Sequence, residues 1–172
     1  MTGTAAGEVV NALDQPDLFE NELWSVFGQP PFRKSIDNSQ FEEQMISITE
    51  HTVKTKRHTT FYLADGPEGG PLVIFTHGWP ELSISWRHQL PALAAVGFRA
   101  VAPDMRGYGR STVYSQHSDY AQEHIVRDMI ELIDSLGREK AVWVGHDWGS
   151  PVAWNVASHH PERVHAVANL RP

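Results

Sequence analysis

Three short stretches constrain this chain more than anything else in it. Leu72–Thr76 and the runs 98–102 and 141–144 are apolar at nearly every position and rich in β-branched residues. A strand with one wet face alternates polar and apolar residues, whereas a strand covered on both faces reads as a continuous apolar run. Between these runs lie segments with helical spacing. Residues 83–96 place Trp86, Leu90 and Leu93 on one side, with Pro91 arguing against an unbroken helix and Gly97 ending it. Ile125, Val126, Met129, Ile130, Ile133 and Leu136 follow the same period up to Gly137, and Asp119-Tyr120-Ala121-Gln122 in front of them resembles a capping box. Residues 148–158 form a helix with a small inner face (Val152, Ala153, Val156, Ala157), closed by His160-Pro161, and residues 163–169 read as one more strand. This alternation predicts an α/β fold, a mostly parallel doubly wound sheet with helices on both faces. In such sheets the chemistry gathers at the carboxyl ends of the strands. Loops 77–81, 103–112 and 145–149 occupy those ends.

The beginning of the chain has a different character. Residues 1–40 are punctuated by Gly3, Gly7, Pro16, Gly28, Pro30 and Pro31 and read as an N-terminal extension. A short helix is expected within residues 17–27, where Leu18, Phe19, Leu23, Trp24 and Phe27 share a face. Residues 44–49 and 57–63 read as two strands, followed by a turn cluster from Asp65 to Pro71. The α/β domain is accordingly expected to run from 41 to 172.

Charge and composition exclude several functions. The 14 Lys and Arg against 21 Asp and Glu leave a net charge of −7, the wrong sign for a nucleic-acid surface. With no cysteine, the chain has no disulfide, no thiolate metal site and no thiol nucleophile. Together with the lack of a secretory signal in the sequence given, this fits a cytoplasmic protein. No apolar run approaches the ~20 residues that span a bilayer. The ten histidines do not suggest a metal site: no His-Glu-x-x-His occurs, and His159 and His160 are adjacent. No cofactor is expected.

The loop Gly145-His146-Asp147-Trp148-Gly149 carries the most chemistry. A small-x-nucleophile-x-small pentapeptide between a buried strand and a helix with small residues is a nucleophile elbow. Its glycines allow a sharp turn on which the central residue stands above the sheet. The helix that follows offers free N–H groups and a positive dipole end. An aspartate before a helix is also an ordinary N-cap; the flanking glycines and the strand in front favour the elbow. A carboxylate at the centre suits in-line attack on an sp³ carbon with a strained or good leaving group, forming an alkyl ester that water then hydrolyses. The loop His77-Gly78-Trp79-Pro80-Glu81 follows the first buried run. In this arrangement the backbone N–H groups of Trp79 and Trp148 form the oxyanion hole. His77, Gly78, Pro80, Gly145, His146 and Gly149 are then scaffolding. Asp104 and Arg106, in the third loop, are read as structural residues, the carboxylate at a strand end serving to satisfy loop N–H groups.

These motifs, with Ser85–Leu93, the stretch 103–111 and Pro161-Glu162-Arg163-Val164, resemble the soluble epoxide hydrolases of the α/β-hydrolase fold, the branch with an aspartate nucleophile. The resemblance implies that Asp147 opens a small-molecule epoxide to a diol through an ester intermediate. It also implies two lid tyrosines, and a histidine with an acidic partner that activates water, all later in the chain than the strand 163–169. The sequence ends at Pro172, so it is expected to hold about the first half of such a fold: to alkylate Asp147, to turn over slowly or not at all, and to self-associate through the open edge of the last strand. Haloalkane dehalogenase chemistry is the alternative with the same nucleophile, although Trp79 leans toward the epoxide. A non-catalytic fragment that binds a ligand or partner is the alternative of a different class.

Overall fold

The computed structural model describes residues 48–170. The extension 1–40, its expected helix and residues 44–47 of the first expected strand lie outside the described residues. Six strands, β1 (Thr49–Lys54), β2 (Thr59–Asp65), β3 (Leu72–Thr76), β4 (Arg99–Pro103), β5 (Ala141–His146) and β6 (Val164–Leu170), form one sheet in the order β1-β2-β4-β3-β5-β6. β1 pairs antiparallel with β2, and β2 with β4; the pairings among β4, β3, β5 and β6 are parallel. Three α-helices connect them: α1 (Gln89–Ala95), α2 (Gln122–Ser135) and α3 (Gly149–His159).

The continuous apolar runs are covered on both sides as expected. Val73 and Phe75 of β3 pack with Trp86, Leu90 and Leu93 of the segment leading into and through α1. Leu72 and Ile74 face the other way, against Met129, Leu132 and Ile133 of α2 and Val152, Ala153 and Val156 of α3. Every residue of β3 is buried, so it anchors both layers. Trp143 in β5 is also buried, and its indole N–H donates to the Arg163 carbonyl at 3.1 Å.

Several boundaries differ from the sequence reading. Among the described residues the first strand is Thr49–Lys54, which overlaps the expected 44–49 only at Thr49, and the second is Thr59–Asp65 in place of 57–63. β1 is an edge strand carrying Glu50, His51 and Lys54, so it has little apolar signal to read. Its hairpin is fixed by Thr55, whose hydroxyl accepts the Arg57 and His58 N–H groups at 3.2 and 3.1 Å. The single helix expected over 83–96 is a 3₁₀ turn, Ser83–Trp86, followed by α1. Pro91 falls in the first turn of α1, where its missing N–H has no intrahelical partner to lose. The capping box is not formed. Asp119 sits in a separate 3₁₀ turn, His117–Tyr120, α2 begins after Ala121 without a side-chain cap, and the Asp119 carbonyl accepts from Arg106 at 3.1 Å. β4 runs one residue later than expected, β5 extends to His146, and both α3 and β6 are shifted by one residue.

β6 pairs with β5 from Val164 to Leu170, and its residues are half-buried except for exposed His165. Among the described residues nothing pairs with its other edge.

Candidate functional site

The turn between β5 and α3 has the geometry of an elbow. Asp147 has φ 49°, the only left-handed non-glycine backbone among the described residues. Its carbonyl accepts the Ser150 N–H at 3.0 Å, which closes the turn. Close approach explains the neighbouring glycines. A Cβ on Gly149 would stand 2.0 Å from the Thr76 carbonyl oxygen, and one on Gly145 would stand 2.6 Å from Ser150 Cα. A Cβ on Gly78 would stand 2.7 Å from Asp147 Cβ. Three elements meet here with no room for a side chain, and only glycine permits it. The N-cap reading of Asp147 does not hold: Trp148 occupies the cap position, and no side-chain cap hydrogen bond is made.

The two loops meet at the carboxylate. Trp79 N–H donates to Asp147 Oδ1 at 2.9 Å. Hydrogen bonding from the Trp79 N–H, and then from the Trp148 N–H, holds the half-buried Asp147 carboxyl below the ordinary carboxylate range. It is therefore an anion at neutral pH with its donors already in place. The Thr76 hydroxyl donates to the Val144 and Gly149 carbonyls at 3.2 and 3.0 Å, fastening β3 to β5 and to the start of α3.

The scaffolding residues have distinct environments. His77 is fully buried: its Nε2 accepts the Met105 N–H at 3.0 Å, and its Nδ1 lies 2.9 Å from the Gly78 carbonyl oxygen. Gly78 N–H donates to Glu81 Oε2 at 3.2 Å, and the same oxygen lies 3.4 Å from His146 Nδ1. The Trp79–Pro80 peptide bond is cis.

The third loop behaves as the sequence reading expects. Asp104 is buried and accepts the Ser83 N–H at 2.9 Å and the Arg110 N–H at 3.0 Å. Arg106 is buried and donates to both oxygens of Asp128, at 2.6 and 2.9 Å. Burial alone would lower the Arg106 guanidinium, but the hydrogen bonds and charge of Asp128 outweigh it and raise it above its ordinary value. Arg57 reaches the same carboxylate at 2.5 Å. Asp128 was not singled out in the sequence. On a helix of apolar period it reads as one solvated carboxylate among several, and its partners lie 22 and 71 residues away.

A cavity of about 560 Å³ opens between Trp79 and Trp148, floored by Met105, Tyr108, Ile125 and Val152. The two indoles at its rim are 64% and 61% exposed, well above what large apolar side chains usually show. Burial, and then the charge of Asp147, push the Tyr108 hydroxyl above its ordinary value. Tyr108 also escaped the sequence reading, because a tyrosine between glycines in a polar loop gives no sign of which way it faces. Among the described residues no group of three His, Asp or Glu side chains could hold a metal ion. No helix among them is long and apolar enough to cross a membrane.

Residues 71–172 match the model of the alpha/beta hydrolase fold family. The chain is similar to epoxide hydrolase A of Mycobacterium tuberculosis, 47% identical over 122 residues that cover 71% of this chain and 38% of that protein. It is 48% identical over 101 residues to bifunctional epoxide hydrolase 2 of Sus scrofa, covering 59% of this chain and 18% of that one. Among solved structures, epoxide hydrolase A from Mycobacterium thermoresistibile superposes with a TM-score of 0.70 at 43% identity, covering 72% of this chain and 39% of that one. The chain thus spans well under half the length of the relatives it matches.

Proposed function

The chain belongs to the α/β-hydrolase fold family, and from that premise we propose that it carries the nucleophile half of an epoxide hydrolase-like site, with Asp147 as nucleophile and the Trp79 and Trp148 N–H groups as oxyanion donors. The observation that supports this most is the pairing of a left-handed Asp147 on the elbow with the Trp79 N–H 2.9 Å from its Oδ1. In the proposed reaction Oδ1 keeps its bond from the Trp79 N–H, and the other carboxylate oxygen attacks. That oxygen forms a bond to an epoxide carbon, the carbon–oxygen bond of the ring breaks, and the released oxygen takes a proton from water. The product is a hydroxyalkyl ester of Asp147. Water then adds to the ester carbonyl carbon, the diol leaves, and the carboxylate is restored. The negative charge that develops in this second step falls on an Asp147 oxygen, where the two N–H groups already point. Losing one such donor typically costs ~10²–10³ in rate. The aromatic rim between Trp79 and Trp148 suits an apolar substituent on the epoxide. The absence of cysteine is compatible with a cytoplasmic setting, and the edge of β6 that nothing pairs among the described residues supports self-association.

Incubation with styrene oxide followed by intact-mass measurement tests the reading. The expected result is one added styrene oxide per chain, mapped to Asp147. In ¹⁸O-water, cleavage of that ester places label in the Asp147 carboxyl group. No adduct would refute the proposal, and chloride release from a chloroalkane with no reaction at the epoxide would transfer the same nucleophile to dehalogenation.

A further inference from the structure

We propose that His77 is a positioning residue: it orients and polarises the peptide group whose N–H faces Asp147. The inference rests on the roles assigned above to Asp147 and Trp79. Three hydrogen bonds carry it. The Met105 amide can only donate, so His77 Nε2, 3.0 Å away, accepts and bears no proton. The ring proton of the neutral imidazole is then on Nδ1, which donates to the Gly78 carbonyl oxygen at 2.9 Å. That carbonyl and the Trp79 N–H are the two ends of one planar peptide group. Fixing the direction of its oxygen fixes the direction of its N–H, which donates to Asp147 Oδ1 at 2.9 Å.

The arrangement does two things. It sets the plane of the peptide, so the donor keeps its aim without help from the exposed Trp79 side chain. It also draws electron density toward the Gly78 oxygen, which makes the N–H at the other end a stronger donor, as hydrogen bonds in series reinforce one another where water is excluded. The ring has no freedom to leave. His77 is fully buried, and Tyr108 packs edge-on against it with centroids 4.9 Å apart. Burial, the largest influence, keeps its pKa below the ordinary value of 6.5, so the neutral form with one donor and one acceptor persists. The relay joins all three rim loops: Met105 from the loop after β4, His77 to Trp79 from the loop after β3, and Asp147 from the loop after β5.

The test begins with the unmodified chain. In ¹⁵N spectra His77 should show a protonated Nδ1 and an unprotonated Nε2; the opposite tautomer would overturn the proposal. Three variants then separate its two ends. His77→Asn keeps a donor near the Nδ1 position, His77→Gln keeps an acceptor near the Nε2 position, and His77→Phe fills the space with neither. With ¹³C-labelled aspartate, the Asp147 titration midpoint should rise toward the ordinary 3.8 in the Phe and Gln variants and stay low in the Asn variant. A merely space-filling histidine predicts no movement in the folded Phe variant, and that result would refute a positioning role. With styrene oxide, His77→Phe should lengthen the lifetime of the Asp147 ester about tenfold while changing its formation far less, as expected for a weakened donor. A wild-type chain that forms no ester overturns the function proposed above, and the tautomer and titration results then decide His77 on their own.

Discussion

Two aspartates stand at the same rim of the sheet and are treated in opposite ways. Asp104, just past β4, is buried, and its two carboxylate oxygens each accept a backbone N–H from the protein's own loops. Asp147, just past β5, is half-buried on a left-handed backbone and takes its amide hydrogen bonds beside an open cavity. Both carboxylates accept backbone N–H groups. The difference is that the donors around Asp104 hold a loop together, whereas those around Asp147 stand where the proposed reaction would shift charge. What sets the carboxylate proposed as nucleophile apart from the scaffold one is access and backbone strain, not hydrogen-bond count.

The largest expected effect breaks the pair outright. Asp147→Ala should abolish the styrene oxide adduct in intact-mass spectra, while Asp104→Ala, if folded, retains it. Next in size is the buried carboxylate beneath the third loop. Asp128→Ala leaves Arg106 and Arg57 without their shared counter-ion and should lower stability by about 3–5 kcal/mol in urea denaturation. Asp104→Ala strands the Ser83 and Arg110 N–H groups and should cost about 2 kcal/mol by the same measurement. A smaller effect concerns pH. His58 and His77 are both lowered from 6.5, chiefly by burial, so both are neutral in the folded chain and the unfolded chain binds protons more readily. Their contribution is complete above pH 6.5 and is lost as the pH falls through that value toward the folded pKa, so the urea midpoint should decline on that acidic side. The smallest effect has the opposite sign. Asp147→Gly removes the carboxylate but relieves the positive φ, and should raise stability by up to about 1 kcal/mol.

Much of this contrast was legible in the residues. Leu72–Thr76 was bounded correctly because continuous apolar runs have one reading in a two-faced sheet. The glycines around Asp147 announced a close approach that the structure shows as contacts of 2.0 and 2.6 Å for a hypothetical Cβ. The same pattern reasoning gave Asp104 and Arg106 their structural parts. What stayed hidden was non-local. Nothing near Asp128 in sequence shows that it neutralises Arg57 and Arg106, and nothing near His77 shows that its ring spans Met105 and Gly78. Local boundaries failed where local signals were weak. Of the first expected strand only its last residues lie among those described, where β1 runs on past them to Lys54, and the capping sequence at Asp119 lost its role once residues 117–120 formed a separate turn. Tyr120 Oη donates to the Tyr114 carbonyl at 2.8 Å, which ties that turn back to residue 114.

The contact between Gly149 and Thr76 has a consequence for how this site can vary. Elsewhere in the core a substitution is absorbed by neighbouring side chains that change rotamer. Where two main chains touch, no rotamer exists to change, and disturbance in one passes undiminished to the other. The turn bearing Asp147 and the strand leading to Trp79 are therefore coupled through main-chain contact. Drift in the surrounding sequence can reshape the cavity while leaving the distance between carboxylate and amide unaltered.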